Sequence, residues 1–397
     1  MNAPNEHGWI ETNRQALSGE LDGLRRLLRK ATGDGDDITI ATSAVTAPVL
    51  DFLCEQFQLS AFERAVLLLC AGVETEAGIT HLCAVLQKDA SCDYPTFGLA
   101  LAVVPEAHWS ALSPQAPLRY WHLVEVGDPT RLTASRLHID ESILHYLLGI
   151  PALDPRLAPL LRGLPPAETL PDSQRQQAER LCRAWSRVQG SLPLINLRAT
   201  DPSGARDVAS HACAALGLRS LMLRADDISP HPEERTLLAR LLARECVLNR
   251  CALIIEMEDR QSPHLATFLD QLACPMIVLG TVPAIIQYRS VVLEIRKPLV
   301  VEQRALWRSA LEDVEGIDDT VLFPVTAHFD FSTQDIAAAA EEARIELHNG
   351  ASSQTLWRVC RRRARGGLNR LAQLIIPRAG WDDLVLPPAQ LAILHDI

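Results

Sequence analysis

The stretch LINLRATDPSGARDVASHA, residues 194–212, decides the fold. Residues 192–198 read as an apolar strand, residues 205–216 as a helix, and the turn between them carries Asp, Pro, Ser and Gly. The alternation then repeats. Strands at 220–224, 252–255, 276–279 and 291–295 are interleaved with helices at 233–248 and 264–272. Short apolar runs bounded by turn signals and separated by helices predict a parallel sheet covered on both faces. Residues 190–299 are therefore expected to form an α/β domain.

Working outward towards the N-terminus, residues 173–189 read as a helix and residues 151–172 as a connector with five prolines beyond Pro151, so a domain boundary is placed there and 151–189 is taken as connector and helix. Residues 40–150 follow a different pattern. A helix covers 49–57, and Ser60 with Glu63 forms a capping box that opens a buried helix, with helical continuation over 75–86. Thr96 caps a short apolar helix at 97–104. LRYWHLVEV, 118–126, reads as a strand, Gly127-Asp128-Pro129 as a turn, 136–139 as the returning strand, and Asp140 as the cap of a trailing helix. Three helices, a hairpin and a helix make a winged-helix arrangement. Residues 1–39 hold a helix over 12–30 and a Gly/Asp-rich linker over 32–37. In the other direction, residues 300–376 are helical throughout, as a small lid would be.

Apolar residues make up 48% of the 397, charged residues 22%, and no run of 18 apolar residues exists, which predicts a soluble, cytoplasmic chain without a membrane span. Ten cysteines lack any Cys-x-x-Cys pair and sit in apolar patterns such as AVLLLC (65–70), as reduced core residues do. Net charge of −11 disfavours a general nucleic-acid footprint. Arginine supplies nearly all positive charge, since the only lysines are Lys30, Lys88 and Lys297.

Three segments carry a family resemblance: FQLSAFERAVLLLCAGVE (57–74), RLHIDESILHYLLG (136–149) and WDDLVLPPAQLAIL (381–394). The chain resembles the large AAA ATPases that accompany phage-tail-like contractile injection systems. The resemblance covers about residues 40–397 and implies a winged-helix domain, a degenerate AAA domain of the P-loop NTPase type, and a second, active AAA domain in tandem. On this reading residues 377–397 are the lead-in to that second module. Trp381 with Asp382-Asp383 fits its start, and Leu391, Leu394 and Ile397 form an apolar stripe that awaits a partner.

The resemblance directs attention to the first strand–loop–helix. A phosphate loop needs G-x-x-x-x-G-K-[ST]: glycines let backbone N–H groups wrap the phosphates, lysine neutralises them and the hydroxyl holds Mg²⁺. Here Gly204 alone survives, no Gly-Lys dipeptide occurs, and no lysine lies between Lys88 and Lys297. Arg206 substitutes in charge, but its fork does not reproduce an ammonium point charge. Asp207 stands where the hydroxyl is expected, and Asp201 adds negative charge. Losing two or three charge-assisted hydrogen bonds at about 1.5–3 kcal/mol each removes roughly 3–9 kcal/mol, against about 8 kcal/mol for micromolar binding. The acidic strand end CALIIEMED offers Glu256, Glu258 and Asp259, but an active site wants Asp on Mg²⁺ followed by Glu, and the Glu258-Asp259 order is reversed. MIVLGTVPA (276–284) shows no polar sensor inside the strand.

Gly204, Arg206, Glu256, Glu258 and Asp259 are thus the remnants of a nucleotide site, with no catalytic residue and no metal ligand set; ATP and Mg²⁺ are expected only in the second module. The arginines 361, 362, 363 and 365 are expected to face acidic groups of a neighbouring subunit. Helix 96–104, the base reader in a DNA-binding winged helix, carries no charge. The reading is a non-catalytic scaffold: it forms a ring as a homo-oligomer, contacts the C-terminal AAA module and meets structural proteins of an injection apparatus. A winged-helix DNA-binding regulator and a weak ATPase built on Arg206 are the alternatives.

Overall fold

The computed structural model of the chain describes residues 3–33, 47–150, 152–187, 192–200, 202–257, 264–281, 289–314, 317–348, 354–365, 385–387 and 390. Two compact units result, 1–296 and 297–397.

The first unit opens with α1 (Ala3–Thr32), longer at both ends than its sequence pattern predicts. Leu17, Leu21, Leu24 and Leu28 recur every three or four residues and are buried in one stripe. That stripe meets α2 (Pro48–Phe57), α3 (Ala61–Thr75) and α4 (Ala77–Gln87). The capping box on α3 is formed as predicted: Ser60 Oγ accepts the Glu63 N–H at 3.2 Å, and Glu63 Oε2 accepts the Ser60 N–H at 2.9 Å. Residues 75–86 do not simply continue the helix. Extended backbone at Glu76 (φ −139°, ψ 110°) bends α4 away from α3 by 116°. Among the described residues no single helix is long and apolar enough to cross a membrane.

Next come α5 (Phe97–Val103), capped by Thr96 as expected, and α6 (Pro117–Tyr120). The predicted strand at 118–126 is corrected here. Pro117 occupies a first helical position and starts a single turn, His122 takes a left-handed φ of 51°, and only β1 (Val124–Val126) is extended. β1 pairs antiparallel with β2 (Leu137–Ile139), and Asp140 caps α7 (Glu141–Leu147) by accepting from the Ser142 and Ile143 N–H groups. The proline-rich stretch after it is not mere connector, because β3 (Leu161–Leu164) pairs antiparallel with a strand of the main sheet. Pro159 and Pro165, which cannot donate to a ladder, bracket this edge strand.

The α/β part follows in order: α8 (Asp172–Ser186), β4 (Leu194–Ala199), α9 (Pro202–Ala215), β5 (Arg219–Arg224), α10 (Pro232–Leu248), β6 (Cys251–Glu256), α11 (Leu265–Gln271), β7 (Met276–Leu279) and β8 (Ser290–Ile295). The sheet order is β3-β5-β6-β7-β4-β8, parallel except for β3. The first strand of the α/β part, β4, lies between the fourth and the fifth. Leu253 and Ile255 point into one layer with α10 and α11, while Ala252 and Ile254 point into the other with α8 and α9. Burial on both faces is why CALII reads as an unbroken apolar run.

The second unit is α12 (Val300–Ala310), α13 (Asp319–His328), α14 (Thr333–His348) and α15 (Gln354–Ala364) around fully buried Trp307. Ala339, Ala340 and Ala343 on α14 leave room for the flanking helices. Of the expected lead-in, Trp381, Asp382, Asp383, Leu391, Leu394 and Ile397 lie outside the described residues.

Candidate nucleotide site

The site is set by what joins β4 to α9. β4 ends at Ala199 and α9 begins at Pro202, so only Thr200 and Asp201 stand between them. A phosphate loop needs a run of backbone between strand and helix that can curl its N–H groups round an anion. Two residues leave no such run. Proline at the start of α9 also removes one of the N–H groups that a helix N-terminus would aim at an anion.

Gly204, the surviving glycine, is buried in the first turn of α9 rather than in a loop. A Cβ on it would stand 2.9 Å from Gln174 Nε2. Gln174, on α8, is 2% exposed and donates from Nε2 to the Arg296 carbonyl at 3.0 Å. Gly204 therefore admits the amide of a neighbouring helix. The sequence carried no signal of this, since the two residues lie thirty apart on different helices.

Arg206, two residues on, reaches Glu256 at the end of β6. Its Nε donates to Glu256 Oε1 at 2.8 Å and its Nη2 to the same oxygen at 2.5 Å. The guanidinium is about one-third exposed and the carboxylate about one-sixth, so this pair is partly desolvated. The structure thus brings together two of the five remnant residues, Arg206 and Glu256, as partners of each other. Glu258, Asp259 and also Asp201 lie outside the described residues.

Asn196 is a further polar group at this end of the sheet. It is 1% exposed in β4, and its Nδ2 donates to the carbonyls of Gly280 at 2.8 Å and Val278 at 3.2 Å. It stitches β4 to the end of β7. Its sequence signal was an Asn inside the apolar run LINL. Gly280 has φ 118°, a conformation that side chains rarely adopt, and a Cβ there would crowd Met257 at 3.1 Å.

Elsewhere, two arginines of the basic run on α15 have partners within this chain. Arg362 pairs with Glu342 and, at 3.0 Å, with Glu346, and Arg363 pairs with Glu342 at 3.2 Å, both carboxylates being on α14. Hydrogen bonds from Arg362 hold the Glu346 carboxyl below its usual range. Arg362 and Arg363 thus form an intrachain ladder with α14. Among the described residues no group of three or more His, Cys, Asp or Glu is placed to hold a metal.

On the winged helix, the hairpin folds onto the start of α5. The Gly98 N–H donates to the Thr133 carbonyl at 2.8 Å, the Leu137 N–H to the Pro95 carbonyl at 2.9 Å, and Thr96 bridges to Arg136. Phe97, Leu99 and Ala100 are buried. In DNA readers these N-terminal residues of the helix meet base edges. Here they are covered by the protein's own hairpin loop.

Residues 5–161 match the family described as winged helix domain, variant, and residues 300–366 match the contractile injection system ATPase helical domain. No curated protein matches. Among solved structures, the AAA domain of FIGL-1 aligns at a TM-score of 0.41 and 12% identity, over 60% of this chain and 91% of that one. The two family matches agree with the resemblance drawn from the sequence over those residues: a winged-helix match in 5–161 and an injection-system ATPase helical-domain match in 300–366.

Proposed function

We propose that this chain is the non-catalytic, scaffolding part of a contractile injection system ATPase, in which hydrolysis is supplied by a partner AAA module with an intact phosphate loop. Its sheet order and the match to an injection-system ATPase helical domain support an ATPase-related role. The observation that carries the finer reading is the Arg206–Glu256 pair. Arg206, the cation of the phosphate-loop remnant, is already neutralised from within, on a helix that only two residues separate from its strand. Mg²⁺-nucleotide does not fit these residues: no lysine or hydroxyl follows Gly204, and Gln174 packs where the glycine would have to face a phosphate. What remains useful is the framework, a sheet domain with a winged helix and a helical bundle, suited to ring formation and to contact with injection-apparatus proteins in the cytoplasm. The ten cysteines are all free thiols, in keeping with that compartment. The covered start of α5 favours protein contact over DNA reading.

The test is a melting curve with millimolar ATP and Mg²⁺, on the unchanged chain and on Glu256→Gln. Ligand at 100 times its Kd adds about 2.7 kcal/mol. No shift and no hydrolysis are expected from the unchanged chain. A clear ATP-dependent shift that Arg206→Ala abolishes would overturn the reading in favour of a weak ATP site on Arg206.

A further inference from the structure

α10 has two working faces. Leu238, Leu241, Leu242 and Cys246 enter the core beneath the sheet. Arg240, Arg244, Val247 and Leu248, spaced at i, i+4, i+7 and i+8, lie along the opposite side and meet the winged-helix domain. Arg240 lies over the Tyr120 ring, 4.3 Å from its centroid. Val247 and Leu248 pack into the winged-helix core itself.

Between them stands Arg244, whose side chain is 1% exposed. Its Nη1 donates to the carbonyls of His122 at 2.6 Å and Trp121 at 3.3 Å. Its Nη2 donates to Asp154 Oδ2 at 2.6 Å and Asp140 Oδ1 at 3.2 Å. Arg156 closes the cluster from the solvent side, with Nη2 2.5 Å from Asp140 Oδ2 and 2.7 Å from Asp154 Oδ2, and Nη1 3.3 Å from Glu125. Two arginines balance two buried aspartates, and Glu125 sits at the exposed rim. Asp140 is also the cap of α7, so the same carboxylate holds a winged-helix element and the α/β domain.

We propose that Arg244 is a latch that makes α10 a helix of both domains, so that the winged-helix domain and the sheet turn as one body rather than as modules on a linker. With the joint closed these charges have no water to fall back on, so taking away Arg244 leaves two buried aspartates with only Arg156 at the rim to balance them, and the closed joint is what loses stability. The alternative, an independently tethered winged helix, would expose this face of α10 and leave two apolar side chains in water. α10 runs into β6 through Asn249 and Arg250, so a partner seated on the winged helix bears directly on the strand that ends at Glu256.

The full chain tests this with Arg244→Met, which keeps the bulk and removes the charge, and with Arg156→Gln at the rim. The readouts are calorimetry and hydrogen exchange resolved over residues 47–150 and 192–257. The unchanged chain should lose both regions in one transition. In Arg244→Met the winged-helix region should separate as its own transition, lower by roughly 10 °C. Arg156→Gln should move the shared transition down by a smaller step without splitting it. Two transitions in the unchanged chain, or a single unmoved one in Arg244→Met, would overturn the proposal. If Arg244→Met fails to fold, Arg156→Gln decides: an unchanged midpoint there refutes the latch.

Discussion

Gly204→Ala asks why the one glycine of the old phosphate loop is present. If its task were to let backbone approach phosphate, alanine would cost nothing to the folded chain. It would gain the usual helix preference over glycine, about 0.8–1 kcal/mol. The structure argues the reverse. The new methyl would lie 2.9 Å from Gln174 Nε2. Gln174 is almost wholly buried, so its amide has to swing away from the Arg296 carbonyl that it now meets at 3.0 Å. A buried hydrogen bond left unmade costs about 1–3 kcal/mol, which outweighs the helix gain and leaves a net loss near 1 kcal/mol. The sign should depend on Gln174. In a Gln174→Ala background the same Gly204→Ala change meets no amide and should stabilise. A double-mutant cycle by urea unfolding therefore yields a coupling of about 2 kcal/mol if the contact is the reason for the glycine. The reasoning is refuted if Gly204→Ala stabilises the unaltered chain, or if its effect is the same with and without Gln174.

Two further outcomes are expected. Ser60→Ala should cost about 1 kcal/mol by opening the α3 capping box, read as a lower urea midpoint with an unchanged slope, and no loss would show that tertiary packing alone sets the helix start. Acid should weaken the chain through Asp154: burial pushes its carboxyl up, but hydrogen bonds from Arg156 outweigh this and hold it below its usual value. A depressed folded value means stability present above the unfolded value, near pH 4, and lost as pH falls below that. Glu245 works in the opposite sense, since burial raises it, so its contribution is fullest in acid and is lost as pH rises. Urea midpoints between pH 3 and 7 should fall at the acid end, and Asp154→Asn should flatten that fall; an equal acid limb in the variant would show the loss lies elsewhere.

How much of this was legible beforehand follows from the range over which each feature is decided. Every parallel strand of the sheet was placed from its own residues to within one or two positions, because a strand buried on both faces writes its burial into a continuous apolar run. The caps at Ser60, Thr96 and Asp140 were equally local, since a side chain and an N–H two or three residues on settle them. The absence of a phosphate-loop lysine needed only counting. Short elements were misread where a neighbour chose the conformation: Pro117 turned part of an apparent strand into a helical turn, and β5 recruited residues 161–164 from an apparent connector. Pairing across the chain was beyond local reading altogether. Arg206 meets a carboxylate fifty residues away, Gly204 an amide thirty residues away, and Arg244 finds Asp140 and Asp154 from another domain. Periodicity tells which side of an element is buried, but an arginine looks the same in sequence whether it faces water, phosphate or its own aspartates. Only the packed fold, by removing water from around Arg244 and Glu256, decided which charges had to find each other.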